Sequence, residues 1–350
     1  MKAYNLSDQH YLKIAEKANL PYYRDFVKVF EGFFNQLSSR EQKMLEEKLQ
    51  LTGKKFNEGK FVQIACETVV CGHFANLYPK DFQYEHRSSI THKRDVDCHF
   101  TDGKYTYNVE VKCPGIETYS EKANEMPKIE LKGRFDEKGR NLVNFIEHAL
   151  HDTLEKEEVG WNYSVQKRLD NTLKTFLQDA HNKFPIVELT DQLNVLVVCC
   201  DNEYDMSRWY DYLYQSQGLF TDDSFADPKT YDRVDLLVLT NLFNRHYSFS
   251  EKIIDTNSWA LNDAFNLAFI NPDKVSSYKM SIVKKFLQTF SHYTLYFDHY
   301  REELAEVDIS PASVFPILHF IPELKKILSN ELDKEVNFFP RWSQPISDSV

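Results

Sequence analysis

The chain has little glycine: 10 of 350 residues, against roughly 7% in average proteins. Backbone-built phosphate cradles are therefore not expected, and no glycine-rich nucleotide-binding run precedes Gly53-Lys54. Cysteine is scarce too. The six present are Cys66, Cys71, Cys98, Cys113, Cys199 and Cys200, and no two are spaced as C-x-x-C. That spacing pattern supports neither a zinc ribbon nor a thioredoxin-like redox pair, and most of the six lie in apolar runs that read as buried thiols of a reducing compartment. No apolar run approaches the roughly 20 residues of a membrane span. The opening residues, Met1-Lys2-Ala3-Tyr4-Asn5, lack the apolar core of a secretory signal. A cytoplasmic protein with no membrane association is expected. An excess of positive charge is missing as well: the formal net charge is −11, which excludes a wholly basic nucleic-acid coat but not a local basic groove.

What is present is a globular balance, 42% hydrophobic and 27% charged, over a length suited to about two units of ~150 residues or one enlarged domain. The charge is divided unevenly. Residues 1–140 carry 23 Lys+Arg against 21 Asp+Glu, and residues 141–350 carry 19 against 32, so the acidity belongs to the C-terminal part.

Periodicity predicts two or three helices over 8–51, with Phe26, Val29, Phe30, Phe33, Phe34 and Leu37 at helical spacing. A further helix is predicted over 57–78, with Asn57 as a cap and Gly72 as a weak point. Alternating segments at 82–87, 95–100 and 105–113 read as strands, the last two joined by a hairpin at Asp102-Gly103. The charged stretch 117–140 reads as an insertion. Helices are predicted over 140–156, 170–183 and 206–216; the apolar run 193–200, interrupted by Asn194, and the segment 234–240 read as buried strands, the first covered on both faces. Beyond 244 the pattern turns mostly helical, including a long segment over 276–306.

The informative segment is 91–115. On the second strand of the hairpin, Glu110 and Lys112 share a face opposite Val109, Val111 and Cys113. On the first strand, Asp95, Asp97 and His99 lie opposite Val96, Cys98 and Phe100. Folding about Asp102-Gly103 sets Asp95 across from Glu110 with Asp97 on the diagonal, whereas a turn centred on Gly103-Lys104 sets Asp97 there. Carboxylates crowded on one face repel unless a hard cation such as Mg²⁺ or Mn²⁺ neutralises them. A lysine two residues beyond the second acid can then orient a water or stabilise charge on a phosphate. An isolated Glu-x-Lys on a strand is ordinarily a solvated cross-strand pair. The Asp-bearing partner strand, the preceding helix acid Glu67 and the buried strand downstream set this one apart.

These residues resemble the PD-(D/E)xK, or restriction-endonuclease-like, nuclease superfamily, although Arg94 and Val96 stand where its proline is expected. The resemblance implies an α/β fold with a mixed sheet. An αβββαβ core over 58–245 would be flanked by helical regions at 1–57 and 246–350. It implies a Mg²⁺-dependent endonuclease hydrolysing DNA, of restriction or phage-defence type, with Asp97 (or Asp95), Glu110 and Glu67 on the metal and Lys112 positioning water. A homodimer would follow by the same resemblance. Lys93 and Arg94 are candidates for phosphate contacts. The competing expectations are a nuclease-like scaffold acting as a non-catalytic subunit, with a protein partner on the acidic C-terminal helical region, and an RNA or branched-DNA nuclease. Weaker signals are His148 and His151 beside Glu147, the Ser276-x-x-Lys279 spacing, and the aromatic series Phe290, Tyr293, Tyr296, Phe297 and Tyr300, which reads better as helix packing or an oligomer interface than as base stacking.

Overall fold

The computed structural model describes residues 4–53, 55–86, 95–113, 128–130, 164–166, 169–185, 190–200, 209, 212–214, 217–251, 256–272, 274–275 and 279–292. The predicted helix at 140–156, most of that at 206–216, and everything from 293 onward lie outside these residues.

Three helices open the chain: α1 (Tyr11–Lys17), α2 (Pro21–Phe34) and α3 (Ser39–Lys48). Pro21 starts α2 where no intrahelical N–H is needed, and Tyr22, Phe26, Phe30 and Phe33 form its buried stripe. At α3, Ser38 and Glu41 make a reciprocal capping box. The long helix α4 (Glu58–Leu77) is capped by the Asn57 side chain, which accepts from the Lys60 N–H at 2.9 Å. It is buried on most sides by Phe61, Val62, Ala65, Cys66, Val69, Val70, Cys71, Phe74 and Ala75. Gly72 does not weaken its end. A Cβ there would sit 3.1 Å from Val29 Cγ1, so the bare backbone lets α2 lie close against α4.

A six-stranded mixed sheet follows. The strands β1 (Gln83–His86), β2 (Val96–Thr101) and β3 (Thr106–Lys112) form an antiparallel meander. A separate two-stranded parallel sheet joins β4 (Lys128–Glu130), inside the charged stretch, to β5 (Ser164–Gln166). After α5 (Leu169–Lys183), β6 (Gln192–Cys199) runs parallel to β3, and β7 (Leu236–Thr240) runs parallel to β6. The short α6 (Leu242–His246) then leads to β8 (Asn266–Ile270), which closes the order β1-β2-β3-β6-β7-β8 antiparallel to β7. The strand β8 is one that the mostly helical reading past 244 did not include. Its apolar run is too short to show a period, and pairing with the fully buried β7 decides it. Helix α7 (Met280–Leu287) is shorter than the predicted 276–306 helix: it ends at Leu287, and 288–292 continue as a turn and irregular chain, so the long helix is corrected at this point.

The hairpin register pairs Cys98 with Val109, Phe100 with Tyr107 and Thr101 with Thr106. The loop is therefore Gly103-Lys104, not Asp102-Gly103. Asp102 accepts from the Lys104 and Tyr105 N–H groups at 2.9 and 2.8 Å, and among the loop residues only Gly103 takes a positive φ, +87°. That is the signature of a turn with glycine at its first central position.

Both sheet faces are covered. On one, Cys98, Phe100, Tyr107, Val109, Leu193, Val195, Val197, Leu236 and Val238 pack with α1, α2, α4 and α7. On the other, Leu196, Val198, Leu237, Leu239 and Phe269 pack with Leu173, Leu177, Ala180 and Phe184 from α5 and its C-terminal end. The first cluster draws side chains from Leu6 to Phe290, so the N-terminal helices, the sheet and α7 share one core. Among the described residues, no helix is long and apolar enough to cross a membrane.

Candidate functional site

The polar face of the β2–β3 hairpin lies under α5. One step past the Cys98–Val109 pair, the register sets Asp97 opposite Glu110. Asp97 Oδ2 accepts the Val111 backbone N–H at 2.6 Å, which fixes the carboxylate against β3. Glu110 is only 1% exposed. Its Oε1 lies 2.6 Å from Lys183 Nζ and 3.2 Å from Lys112 Nζ. Among the described residues its buried Oε2 has no hydrogen-bond partner, an arrangement that costs on the order of 1–3 kcal/mol or more for a charged group. Lys112 also approaches Asp179 at 3.8 Å, and Lys183 approaches Asp97 at 3.9 Å.

Electrostatics follow from burial. Asp97 is pushed up to about 7, first by desolvation and then by the Glu110 charge, against the pull of Lys183 and the Val111 N–H. Burial works to lower Lys183, but Asp97 and Glu110 outweigh it and hold the ammonium above its usual range. Glu67, one helix away on α4, is likewise raised by burial and by the Asp97 charge. Its Oε1 accepts from Tyr84 Oη and from Lys48 Nζ at 3.2 Å. Lys48 Nζ also donates to Tyr84 Oη at 3.2 Å and to Glu85.

The structure thus brings Asp97, Glu110 and Lys112 together, and sets Glu67 within reach of the Asp97 field but tied to its own partners. Asp95 precedes β2, and its charge acts on His86; the observed register does not set it across from Glu110. At this end of β2 strict alternation also fails, because Val96 packs with the α5 cluster instead of with Cys98 and Phe100. Lys93, Arg94, Glu147, His148, His151 and Ser276 lie outside the described residues. Lys279 pairs with Asp235 at 2.6 Å, both buried, which explains it without a serine partner. Phe290 is buried in the core shared with α7, and the rest of its aromatic series is outside the described residues.

Two cations escaped sequence reasoning. Lys183 stands in the last turn of α5, four residues after Asp179 and flanked by the buried Ala180 and Phe184. A charged pair bordering an apolar stripe was the available signal. Lys48 reaches the site only through the packing of α3, and nothing local announces it. Among the described residues, the one group of three ligand-bearing side chains whose atoms all lie within 4.8 Å of each other is Cys66, Cys113 and Cys199; Glu67, Asp97 and Glu110 do not draw so close. No family model, curated protein or solved structure matches the chain.

Proposed function

We propose that the protein is a divalent-metal-dependent phosphodiesterase acting on DNA, an endonuclease of the restriction-endonuclease-like class. The observation that carries this reading is the buried Glu110. It faces Asp97 across the hairpin, with one carboxylate oxygen unpartnered and two lysines on the same face. With β4 and β5 set apart in their own two-stranded sheet, α4, β1, β2, β3, α5 and β6 follow in that order and β6 runs parallel to β3, which supports the αβββαβ core that the Asp and Glu-x-Lys pattern suggests.

The donors suit a hard cation. Asp97 is oxygen-only and short of countercharge, and Glu110 has an oxygen to spare; Mg²⁺ or Mn²⁺ takes such ligands. Bound there, the ion would supply charge stabilisation for a phosphate and a readier water. Glu110 and Asp97 would hold it, while Glu67 would extend the acidic rim through its Lys48 and Tyr84 contacts. Lys112, at the outer end of β3, would orient the attacking water and steady negative charge on the phosphate. Lys183 would let go of Glu110 when the ion enters.

Glu110→Gln keeps the shape and removes the charge, so Mg²⁺-dependent cleavage of plasmid DNA should fall by on the order of 10²-fold or more. Lys112→Ala should cost roughly 10²–10⁴-fold. Wild-type rates from either variant would sink the assignment. RNA and branched DNA assayed beside the plasmid give the substrate class.

One observation favours a second reading, a scaffold with this face but no cleavage. Lys183 and Lys112 already neutralise Glu110. Metal uptake separates the two: calorimetric titration that finds no Mg²⁺ or Mn²⁺ bound at millimolar levels favours the scaffold.

A further inference from the structure

Three cysteines far apart in sequence meet on the sheet face opposite Glu110. Cys66 lies in α4, Cys113 directly follows β3, and Cys199 ends β6. All three are free thiols; Cys66 and Cys199 are buried and Cys113 is partly exposed. Their Sγ atoms all lie within 4.8 Å of one another. One ion with metal–sulfur bonds of about 2.3 Å holds its sulfurs about 3.8–4.0 Å apart, so a small inward movement of the three side chains would complete such a site. A disulfide would use two of the thiols and strand the third. The donors also sit on three different elements of the core, a helix and the ends of two parallel strands, which gives them little freedom to separate.

We infer that Cys66, Cys113 and Cys199 form a binding site for one thiophilic d¹⁰ metal ion, Zn²⁺ or Cu⁺, bound through three thiolates. Soft sulfur donors select these ions over Mg²⁺, so this site is chemically separate from the carboxylate face. Zn²⁺ would complete four-coordination with a water at the partly exposed Cys113 side, whereas Cu⁺ is satisfied by three sulfurs. Occupancy would pin α4 to the β3 and β6 ends, next to Glu67 and Lys112 in sequence, and so brace the elements that carry the acidic face. The assignment stands whether or not that face cleaves nucleic acid.

The test uses the full chain, reduced and stripped of metal. Titration with Cd²⁺ as the spectroscopic probe should develop a sulfur-to-metal charge-transfer band that saturates at one equivalent per chain. Zn²⁺ should displace a chromogenic chelator at the same stoichiometry, and Cu⁺, added with a competing Cu⁺ chelator, distinguishes the second ion. Cys113→Ser, at the exposed edge where folding is least at risk, should lose the band; Cys200→Ser, a buried cysteine of the other cluster, should keep it. Absence of the band in the wild-type chain, or its survival in Cys113→Ser, overturns the site. So does equal loss in Cys200→Ser, or ready formation of a Cys66, Cys113 or Cys199 disulfide with no metal uptake.

Discussion

Asp97 shows how far one side chain can be read. Its carboxyl titrates near 7 in the folded chain because burial and Glu110 both resist its charge, whereas an unfolded chain returns it to about 3.9. The folded state therefore binds the proton more tightly. Its stabilising contribution is complete below about pH 4 and is lost as pH rises through 7. Glu67, raised for the same reasons, adds in the same direction. In protein freed of divalent metal, the melting temperature should fall between pH 5 and pH 8. Asp97→Asn should flatten that fall and stabilise the chain at pH 8 by about 1–3 kcal/mol. Thermal melts across the range, with and without chelator, check it. A wild-type curve that rises with pH would mean that Asp97 is fully countercharged in the folded chain. Because a cation competes with the proton for the same oxygens, added Mg²⁺ should stabilise most at the alkaline end.

At the scale of elements, much of the frame was legible because strand faces announce themselves. Alternation in 105–113 and the apolar run at 193–200, interrupted by Asn194, correspond to β3 and to β6, buried along its whole length. The hairpin slipped by one position because Asp-Gly suggests a turn with two positive-φ residues, whereas only Gly103 adopts one and Asp102 serves as a cap for the loop. One position decides which aspartate faces Glu110; local spacing allowed both turn centres, and the structure adopts the one that sets Asp97 there. The strand β8 and the roles of Lys48 and Lys183 were illegible for a different reason: each is set by a tertiary neighbour and not by local spacing. Helix α4 was legible from its cap to its end, and its cap can be tested. Asn57→Ala removes the acceptor for the Lys60 N–H and should cost about 1 kcal/mol. Chemical denaturation should show this as a lower midpoint at unchanged slope. A changed slope would mean that α4 frays independently instead of unfolding with the sheet.

The whole molecule is held by contacts that ignore the divisions suggested by composition. Tyr22 of α2 meets His246 at 2.8 Å and stacks on Phe249. Tyr11 of α1 packs on Phe61 and Phe249, and Trp259 is in contact with Tyr22, Phe26, Phe61 and His246. Residues before 57 thus cover the same aromatic core as α4 and the segment after 246. They also deliver Lys48 to Glu67. Deleting residues 1–57 would uncover Phe61, which packs on His10, Tyr11 and Phe56, and the α4 backbone at Gly72, which lies against Val29 and Phe33, baring apolar surface that monomers rarely leave exposed. The deletion should give an aggregating chain, whereas full-length protein should melt with tryptophan fluorescence and far-ultraviolet circular dichroism changing together. Trp259→Ala offers a milder probe. It should cost about 3–5 kcal/mol and lower both signals at the same temperature. If residues 58–350 instead remained soluble with an undiminished β signal, the N-terminal helices would be an appendage and Lys48 a dispensable neighbour of the acidic face. Because Trp259, in the loop before β8, touches α2, α4 and α6 at once, losing it should weaken all of them in a single transition.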